Sequence, residues 1–535
     1  MSRVPSPSRS ASASAFATLD AVAARTPDGL TLFDSLSLGL GRERLGVVGR
    51  NGAGKTTLLD LIQGLIPPAE GPVSRNASIA RLEQTPPASG SIAHALGVAD
   101  DLDRLDRILA GRASDNDLAE ADWALESRIE TALAQVSVPT IDPRRPVAAL
   151  SGGERTRLGL ARLILAAPDL ILLDEPTNHL DAEGRELIGE IVERWPGGAV
   201  VVSHDRALLR RMDRILDLSS LGPRLYGGGW DFYAERKAVE VEAADRDLEA
   251  ARRHADQAAR RAQAATERQA RRNRAGKLSR RHSSDPKILL DARAQQAEAT
   301  GARLSRVSDR RAGDTADALI EAQSRVERLR TLAPPMPPTG LPTERSVLEL
   351  HAVEVFAGDR RLIGPLDLSL IGPERLAITG RNGSGKSSLL RVMAGLQSPD
   401  AGTVARPVQA ALLDQNVAVL RPQETLLDAY RRINPDSTPN QAQAALARFL
   451  FRNTVAQRTV QTLSGGERLR AALACVLSGV RPPQLLILDE PTNHLDLDSL
   501  TAVEQALAAY DGALVIVSHD EDFLKGVGIQ QRLSL

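Results

Sequence analysis

The chain has 535 residues, a length that allows about three or four domains, and 42% of them are hydrophobic, which is ordinary for proteins with buried cores. The formal net charge of −1 favours no particular class of partner. The single cysteine, Cys475, excludes a disulfide framework and a cysteine-based metal site. Because no stretch approaches the ~18 consecutive apolar residues of a transmembrane helix, we expect no integral membrane segment.

The N-terminal segment and the single cysteine each predict a local feature. Residues 1–16, MSRVPSPSRSASASAF, are rich in serine, arginine and alanine and lack the apolar core of a secretory signal, so they predict a disordered tail. The apolar stretch AALACVLSG around Cys475 predicts a buried thiol. Both observations fit a cytoplasmic protein, where free thiols stay reduced.

A first α/β domain is predicted over residues 17–233. An apolar strand at residues 45–48 leads into GRNGAGKTT, which fits the phosphate-binding P-loop pattern G-x-x-x-x-G-K-[ST]. Its glycines let backbone N–H groups approach phosphate oxygens, Lys55 would reach the outer phosphates, and Thr56 would place a hydroxyl on Mg²⁺. The predicted nucleotide-binding residues of this loop are Gly49, Asn51, Gly52, Gly54, Lys55, Thr56 and Thr57.

Two buried strands are predicted later in this domain, each followed by reactive side chains. The first ends in LILLDEPTNHLD with Asp174 and Glu175, and the second ends in VVSHD with His204. We expect Asp174 to hold Mg²⁺ directly or through water, and Glu175 to orient or deprotonate the attacking water. His204 is expected to contact the outer phosphate.

A glutamine and the LSGGE segment are the remaining candidate nucleotide-binding features of this domain. Gln84, in ARLEQTP, follows a strand-like stretch and is a candidate ligand of Mg²⁺ or of the attacking water. LSGGE, at residues 150–154, places Ser151, Gly152 and Gly153 at a helix start, and a hydroxyl with flexible N–H groups there suits a γ-phosphate. Because this segment is far along the chain from its own P-loop, a sandwich in which each LSGGE closes on the other domain's nucleotide is the economical geometry.

Residues 234–345 predict a basic helical linker folded as a hairpin. The segment is rich in alanine, arginine, glutamate and glutamine, and Ser-Ser-Asp-Pro at residues 283–286 divides it into two long helices. From Arg252 to Arg311 the net charge is +11, so the remainder of the chain carries −12. The proline-rich segment APPMPPTGLP ends the linker.

The tip of this hairpin has two interpretations. Residues 269–284 contain no acidic side chain, whereas a merely solvated surface would intersperse both signs of charge. We therefore favour contact with the phosphate backbone of structured RNA or a duplex over a solvated coiled hairpin, and the lack of aromatic residues argues against base stacking. The predicted contact residues are Arg271, Arg272, Arg274, Lys277, Arg280 and Arg281.

Residues 346–535 repeat the first domain in the same order. The P-loop lysines are 331 residues apart, and the strand-end acids and the histidines are both 315 residues apart, which indicates duplication of a whole domain. The predicted nucleotide and metal residues are Phe356, Gly380, Asn382, Gly383, Gly385, Lys386, Ser387, Ser388, Gln415, Ser464, Gly465, Gly466 and Asp489. Glu490 and His519 are the predicted catalytic residues.

The P-loop, glutamine, LSGGE, D-E-P-T and S-H-D motifs, in this order, resemble the ATP-binding cassette (ABC) superfamily. The D-E-P-T-N-H-L-D tail, two cassettes in one chain and a charged helical linker resemble its ABC-F subfamily of soluble, mostly ribosome-associated ATPases. The resemblance implies two ATP and Mg²⁺ sites in a monomer, site one closed by Ser464 and Gly466 and site two by Ser151 and Gly153. It also implies a ribosomal partner, with the linker reaching rRNA and peptidyl-tRNA.

The chain departs from the family in two places. Family members often stack an aromatic residue on adenine; Phe356 suits this role in the second domain, but the first offers only Arg25, whose guanidinium would stack instead. Some members carry a helical arm between the glutamine and LSGGE of the first domain. Here that interval is 67 residues against 49 in the second domain, so at most a stub is expected.

Two other classes of cassette protein remain as alternatives. The energy-coupling subunit of a transporter with separate membrane partners would explain the cassettes but not the basic hairpin. A DNA-repair or chromosome-associated ATPase would interrupt the cassette with zinc modules or a far longer coiled coil. We therefore expect a ribosomal ATPase acting in translation regulation or antibiotic target protection.

Overall fold

The computed structural model of the chain describes residues 15–82, 90–139, 141–178, 180–219, 222–282, 313, 315, 317–319, 336–449, 451, 453–493 and 495–535. By their contacts these residues divide into two compact units, one within Met1–Phe232 and Thr331–Leu535 and the other within Tyr233–Arg330. The first unit contains two repeats of the same α/β fold. The predicted N-terminal tail lies outside the described residues except for its last two positions.

The first repeat comprises the following elements. Its strands are β1 (Ala17–Arg25), β2 (Thr31–Leu40), β3 (Arg44–Gly49), β4 (Val73–Arg75), β5 (Ile79–Leu82), β6 (Leu170–Asp174), β7 (Gly198–Val202), β8 (Arg214–Ser219) and β9 (Gly222–Gly227). Its helices are α1 (Lys55–Gln63), α2 (Ile92–Leu96), α3 (Ala99–Leu109), α4 (Asp115–Ala119), α5 (Leu125–Gln135), α6 (Gly152–Ala166), α7 (Ala182–Arg194) and α8 (Arg206–Arg210).

A six-stranded sheet forms the centre of this repeat. Its order is β5-β6-β7-β3-β8-β9, and neighbouring strands are parallel except for the β8–β9 pair. Every residue of β6 and β7 is buried, which explains why their sequences are apolar without alternation. A second, antiparallel sheet of order β2-β1-β4 shares an apolar cluster with α1 and the main sheet, and Leu19, Leu58 and Val200 belong to that cluster.

The second repeat has the same order of strands and helices around the P-loop. Its strands are β10 (Ser346–Ala357), β11 (Arg360–Ile371), β12 (Arg375–Thr379), β13 (Ala401–Ala405), β14 (Ala410–Leu413), β15 (Leu485–Asp489), β16 (Ala513–Val517) and β17 (Gln531–Ser534). Its helices are α10 (Lys386–Ala394), α11 (Leu426–Ile433), α12 (Pro439–Arg448), α13 (Gly465–Leu477), α14 (Leu497–Ala509) and α15 (Glu521–Val527). The main sheet has five parallel strands in the order β14-β15-β16-β12-β17.

The predicted α/β class and the buried strands are confirmed. The apolar strand predicted at residues 45–48 corresponds to β3, and the two buried strands predicted before Glu175 and His204 correspond to β6 and β7, with β12, β15 and β16 in the same positions of the second repeat. Because the strands are parallel, their carboxyl ends meet at one edge of each sheet. The residues that follow β3, β6 and β7 are therefore brought together, and this edge positions the candidate site.

The stretch before LSGGE differs between the repeats as its length predicts. In the first repeat α3 and α4 are inserted between α2 and α5, whereas the described residues of the second repeat contain two α-helices, α11 and α12, in the corresponding interval. The inserted helices have 11 and 5 residues, and α4 begins with a capping box in which Ser114 and Asp117 satisfy each other's backbone N–H groups. Within residues 90–139 the insertion is a stub and not a long arm.

One long helix, α9 (Trp230–His282), begins the linker. Its 53 residues correspond to about 80 Å at 1.5 Å per residue. Ala244 and Leu248 of this helix are buried and Leu319 packs against them, so a later part of the linker lies alongside the first half of α9. Residues 317–319 are helical, whereas the predicted turn at 283–286 lies outside the described residues.

Cys475 lies inside the second repeat, as predicted. The side chain is buried in α13 within an apolar cluster, and burial raises the pKa of its thiol to about 12. A thiol that stays protonated at neutral pH is a poor nucleophile and a poor metal ligand. Cys475 is therefore a packing residue.

The first glycine of each P-loop explains a local requirement of the fold. Gly49 has a φ of 151°, and a Cβ at this position would lie 2.6 Å from the carbonyl oxygen of Leu218 in the neighbouring strand. Gly380 repeats this arrangement with the same φ and a Cβ position 2.7 Å from the carbonyl oxygen of Leu535. The loop therefore leaves the sheet through a passage that excludes any side chain.

We predict that Gly49→Ala destabilises the first repeat by about 2 kcal/mol, because the strand and the loop must separate to admit the methyl group. Thermal unfolding followed by calorimetry measures the effect. Gly39→Ala is the matched control, since no atom lies within 4 Å of its Cβ position, and its melting temperature should stay near that of the parent chain. Equal shifts for the two variants would contradict this account of the passage.

Candidate nucleotide-binding sites

Both P-loops end in a helix whose N-terminus lacks a capping side chain. Gly54 and Gly385, in the left-handed conformation, precede α1 and α10, and neither helix has an acidic residue in its first turn. By contrast, α6 and α13 are capped by serines and α7 and α14 by aspartates. The first N–H groups of α1 and α10 are thus left to bind an anion, and a phosphate fits this cradle.

The P-loop lysines are buried beside carboxylates. Lys55 donates to the carbonyls of Gly49 and Arg50 at 2.8 and 3.2 Å, and Lys386 makes the equivalent contacts at 2.6 and 3.0 Å. Burial lowers the pKa of both amines, although nearby carboxylates, Glu175 and Glu490 first among them, counteract this effect. The charge of each buried ammonium group, together with the N–H donor that these two carbonyls leave, is suited to a polyanion such as a triphosphate.

The next pair of residues fits a divalent cation. Thr56 donates to Asp174 Oδ2 at 3.0 Å, and Ser387 likewise donates to Asp489. Burial raises the pKa of Asp489, and Oδ1 of this carboxylate is buried without a hydrogen-bond donor among the residues described. A hydroxyl next to a buried, under-satisfied carboxylate is a donor set that suits Mg²⁺.

The two glutamates after the strand-end aspartates have an unusual backbone. Glu175 and Glu490 have φ values of 48° and 50°, in the left-handed region that non-glycine residues seldom adopt. Each backbone N–H donates at 2.9 Å to the last residue of the neighbouring strand, Val202 or Val517, which holds this conformation. Strain of this kind is concentrated at functional sites, because the surrounding structure must enforce it.

The histidines lie next to these glutamates. His204 Nε2 is 3.0 Å from Glu175 Oε1, and His519 Nε2 is 3.8 Å from Glu490 Oε1. Burial lowers the pKa of His519, so its imidazole is neutral at physiological pH. Each glutamate and histidine therefore form a close pair at the same sheet edge as the P-loop.

The two repeats contact each other through the P-loops. The backbone N–H of Asn51 donates to Asp496 Oδ2 at 3.0 Å, and that of Asn382 donates to Asp181. Each aspartate also caps its own helix, since Asp496 accepts from Ser499 N and Asp181 from Gly184 N. Burial alone would raise the pKa of both carboxyls, but these hydrogen bonds outweigh it and lower the pKa.

Ion pairs extend this reciprocal contact. Beside the P-loops, Arg50 Nε lies 2.6 Å from Asp498 Oδ2 and Arg381 lies 3.4 Å from Glu183. Each P-loop thus directly contacts the segment after D-E-P-T-N-H-L of the other repeat.

Another pair of contacts is present on one side only. Arg206 makes a bidentate ion pair with Glu504 at 2.6 and 3.0 Å, and its guanidinium lies 5.6 Å from the centre of the Trp230 ring. Arg210 joins Asp522 of the second repeat to Asp231 at the start of α9. Helix α8 therefore links site one, the second repeat and the first turn of the linker helix.

A cavity of about 800 Å³ lies between the repeats. Asn51, Asp174, Glu175 and His204 line it from the first repeat, and Gly465 and Arg468 line it from the second. These four predicted residues of site one thus share a cavity with Gly465 of the opposite LSGGE segment and with Gly152 of their own. Lys55, Ser464 and Gly466 are not among the lining residues. Ser151 and Ser464 cap their helices by accepting from the N–H groups of Glu154 and Glu467, which sets the orientation of both LSGGE segments.

The structure places the remaining predicted residues less centrally. Gln415 follows β14 and is exposed, and Gln84 lies outside the described residues. Phe356 is 38% exposed on β10, and its backbone N–H donates to Asp400 at 2.8 Å. At the corresponding position of the first repeat, Arg25 pairs with Glu70 at 2.6 Å.

Sequence reasoning missed the residues that join the repeats. Asp181, Asp496, Arg206 and Glu504 are in contact across the interface, and none of them was among the predicted site residues. One available signal was the final aspartate of D-E-P-T-N-H-L-D, which is present in both repeats. The one-sided arginine contacts have no such repeated signal.

The fold and the paired sites define an ATPase of the ATP-binding cassette class. A family model described as "ABC transporter" matches residues 34–178 and 363–493, together just over half of the chain. A complete P-loop and the strand-end acids thus occur in both matched regions, and His204 and His519 lie shortly after them. No helix in the described part of the chain is both long enough and apolar enough to cross a lipid bilayer.

Curated relatives are similar to nearly the whole chain. The tylosin resistance ATP-binding protein TlrC of Streptomyces fradiae is 34% identical, over 89% of this chain and 90% of its own. The energy-dependent translational throttle protein EttA of Mycobacterium tuberculosis is 31% identical, over 90% and 84%. The chain belongs to the ABC-F subfamily of ATP-binding cassette ATPases. These relatives do not favour the alternative of a transporter subunit.

Solved structures show the same fold. A structure titled "RNase-L Inhibitor" has a TM-score of 0.59 at 18% identity, covering 95% of this chain and 86% of its own. A second, from a complex of an archaeal ribosomal stalk protein with the recycling factor aABCE1, has a TM-score of 0.58 at the same identity. At this level of identity the likeness concerns the tandem-cassette architecture alone.

We predict that Arg206→Ala costs about 2–3 kcal/mol of stability, because it leaves the Glu504 carboxylate, only 13% exposed, without its partner. Glu504→Ala should cost a similar amount, and the double variant should cost less than the sum by about 1–3 kcal/mol. Denaturant unfolding of the four proteins gives this coupling energy.

The control cycle uses Arg532 and Glu521, an exposed bidentate pair within the second repeat. Its coupling should be below about 1 kcal/mol. A coupling for Arg206 and Glu504 no larger than this would mean that their contact does not hold the repeats together.

Proposed function

We propose that the chain binds and hydrolyses ATP at two composite sites, each closed by the opposite repeat within a monomer. The observation that carries this proposal is the reciprocal contact of Asn51 with Asp496 and of Asn382 with Asp181. Each P-loop would hold one nucleotide, and the LSGGE segment of the other repeat would complete the γ-phosphate contacts. Ser464 and Gly466 would close site one, and Ser151 and Gly153 would close site two.

Within each site the residues would divide the chemistry in the same way. Lys55 or Lys386, with the P-loop N–H groups, would hold the phosphates, and Glu175 or Glu490 would orient and deprotonate the attacking water. Thr56 with Asp174, or Ser387 with Asp489, would hold Mg²⁺, which neutralises developing charge on the phosphates. Gln84 and Gln415 are further candidate ligands, and His204 and His519 would contact the γ-phosphate.

We propose the ribosome as the partner. The relative EttA is named a translational throttle, and the chain resembles it over 84% of that protein's length. The linker adds a physical reason: Arg271 and Arg274 are exposed near the end of α9, in a stretch without acidic residues. We place the contact on rRNA and peptidyl-tRNA phosphates, in the cytoplasm, with translation regulation or antibiotic target protection as the outcome.

We predict that replacing Glu175 and Glu490 by glutamine keeps ATP binding and reduces hydrolysis by about 10²–10⁴-fold, the usual contribution of a general base. Phosphate release measures hydrolysis, and retention of labelled ATP on a desalting column measures binding. Turnover near that of the parent chain would refute the assignment of these glutamates.

The double variant with glutamine at positions 175 and 490 also tests the ribosomal partner. Sedimented through sucrose with ribosomes, it should co-migrate with them in the presence of ATP and remain at the top of the gradient without it. Intact ATP binding with no co-migration would contradict the ribosomal proposal while leaving the ATPase sites in place. A control with Lys55→Ala and Lys386→Ala, which removes phosphate binding, should not co-migrate under either condition.

We predict that Arg271→Ala, Arg272→Ala and Arg274→Ala together weaken ribosome binding. They should also reduce the slope of log affinity against log salt by about two to three, because fewer counterions are released when phosphate contacts are lost. The matched control replaces Arg252, Arg253 and Arg260, three exposed arginines earlier on the same helix. Both triple variants lose the same charge. Equal salt slopes for the two variants would assign the basic tip to solvation alone.

A further inference from the structure

One arginine at site one has no counterpart among the described residues of site two. Arg81, on β5, lies 2.7 Å from Asp174 Oδ2 and also pairs with Asp60 on α1. The side chains of Arg81 and Asp174 are only 13% and 2% exposed, so this ion pair is shielded from water. The same oxygen of Asp174 accepts from Thr56, and it therefore has two donors before any ligand is considered.

The register of the sheet explains how Arg81 reaches this oxygen. Arg81 pairs with Leu172 in the parallel β5–β6 ladder, and Asp174 is two residues further along β6. In the second repeat Leu412 pairs with Ile487, and Asp489 is again two residues further along. The backbone is equivalent, but an apolar side chain stands where the first repeat has arginine.

The helix next to this strand also differs between the two repeats. Asp60, which orients Arg81 from α1, is replaced by Arg391 at the same position of α10. Leu412 instead packs against the apolar cluster of the second repeat. The pair Asp60 and Arg81 is therefore a coordinated feature of site one. Within the described residues no arginine pairs with the strand-end aspartate Asp489, where Lys386 supplies the nearby positive charge, as Lys55 does at site one.

A fixed positive charge at a cation site has two electrostatic consequences. It opposes Mg²⁺, since two like charges in a partly desolvated site repel strongly. It also favours the phosphates in the absence of Mg²⁺, since a guanidinium supplies part of the neutralisation that the metal would provide. Both effects reduce the degree to which nucleotide binding depends on the metal.

We propose that Arg81 is a positioning residue that makes nucleotide binding at site one less dependent on Mg²⁺ than binding at site two. The inference rests on the proposed function of the two sites. Arg81 acts through Asp174: it holds the carboxylate in place and shares its charge. The two composite sites thus differ in metal requirement although their motifs are alike.

The test is the ratio of nucleotide affinities with and without Mg²⁺, measured with a fluorescent ATP analogue on the full chain. Site one is measured alone in a Lys386→Ala background, and site two alone in a Lys55→Ala background. We expect the ratio to be smaller at site one, and Arg81→Leu, which copies site two, should raise it about tenfold. Arg81→Lys, which keeps the charge, should leave the ratio near that of the parent site.

The reverse exchange is made in site two. Leu412→Arg with Arg391→Asp installs both partners on the equivalent backbone, and it should lower the Mg²⁺ ratio of that site; this arm decides the matter if Arg81→Leu fails to fold. An unchanged ratio in a folded Arg81→Leu or in the exchanged site two would overturn the role of Arg81. Absence of any nucleotide binding in the Lys386→Ala background would instead refute site one itself.

Discussion

Each P-loop donates a backbone N–H to an aspartate of the other repeat, and this exchange is the contact on which the arrangement of both sites depends. The donor belongs to the loop that would hold the phosphates, and the acceptor also caps a helix of its own repeat. Moving one P-loop away would therefore leave a loop N–H and one oxygen of the capping carboxylate without their partners, although the other oxygen would still cap the helix. The geometry of the nucleotide sites therefore depends on the contact between the repeats.

Around this symmetric contact the two halves are not equivalent. Arg206 and Arg210 reach the second repeat and the first turn of α9, whereas the equivalent side of the second repeat has acidic Glu521 in place of Arg206. Arg81 adds a cation at site one only. The differences lie in ion pairs around the motifs, so the motifs alone describe two identical sites.

The sequence predicts most of the fold because its signals are local. Apolar strands such as β6 and β7 are buried on both faces and need no distant partner to be recognised, and the first glycine of each P-loop is required by one close backbone contact. Arg206 and Glu504 are 298 residues apart, and each is an ordinary surface residue by composition. Asp496 caps its own helix, and nothing in the sequence indicates that its second carboxylate oxygen accepts from Asn51 of the other repeat. Arg81 was missed for the same reason, since its partners come from α1 and β6.

The central claim, that each site is completed by the opposite repeat of the same chain, is tested most directly by cross-linking. Arg381 and Glu183 are 3.4 Å apart across the interface and largely exposed, and Cys475 is buried, so cysteines placed at these two positions would be the reactive thiols. With a short bifunctional thiol reagent, the account predicts a cross-link within the monomer. Cross-linked dimers, or no cross-link within the monomer, would contradict it.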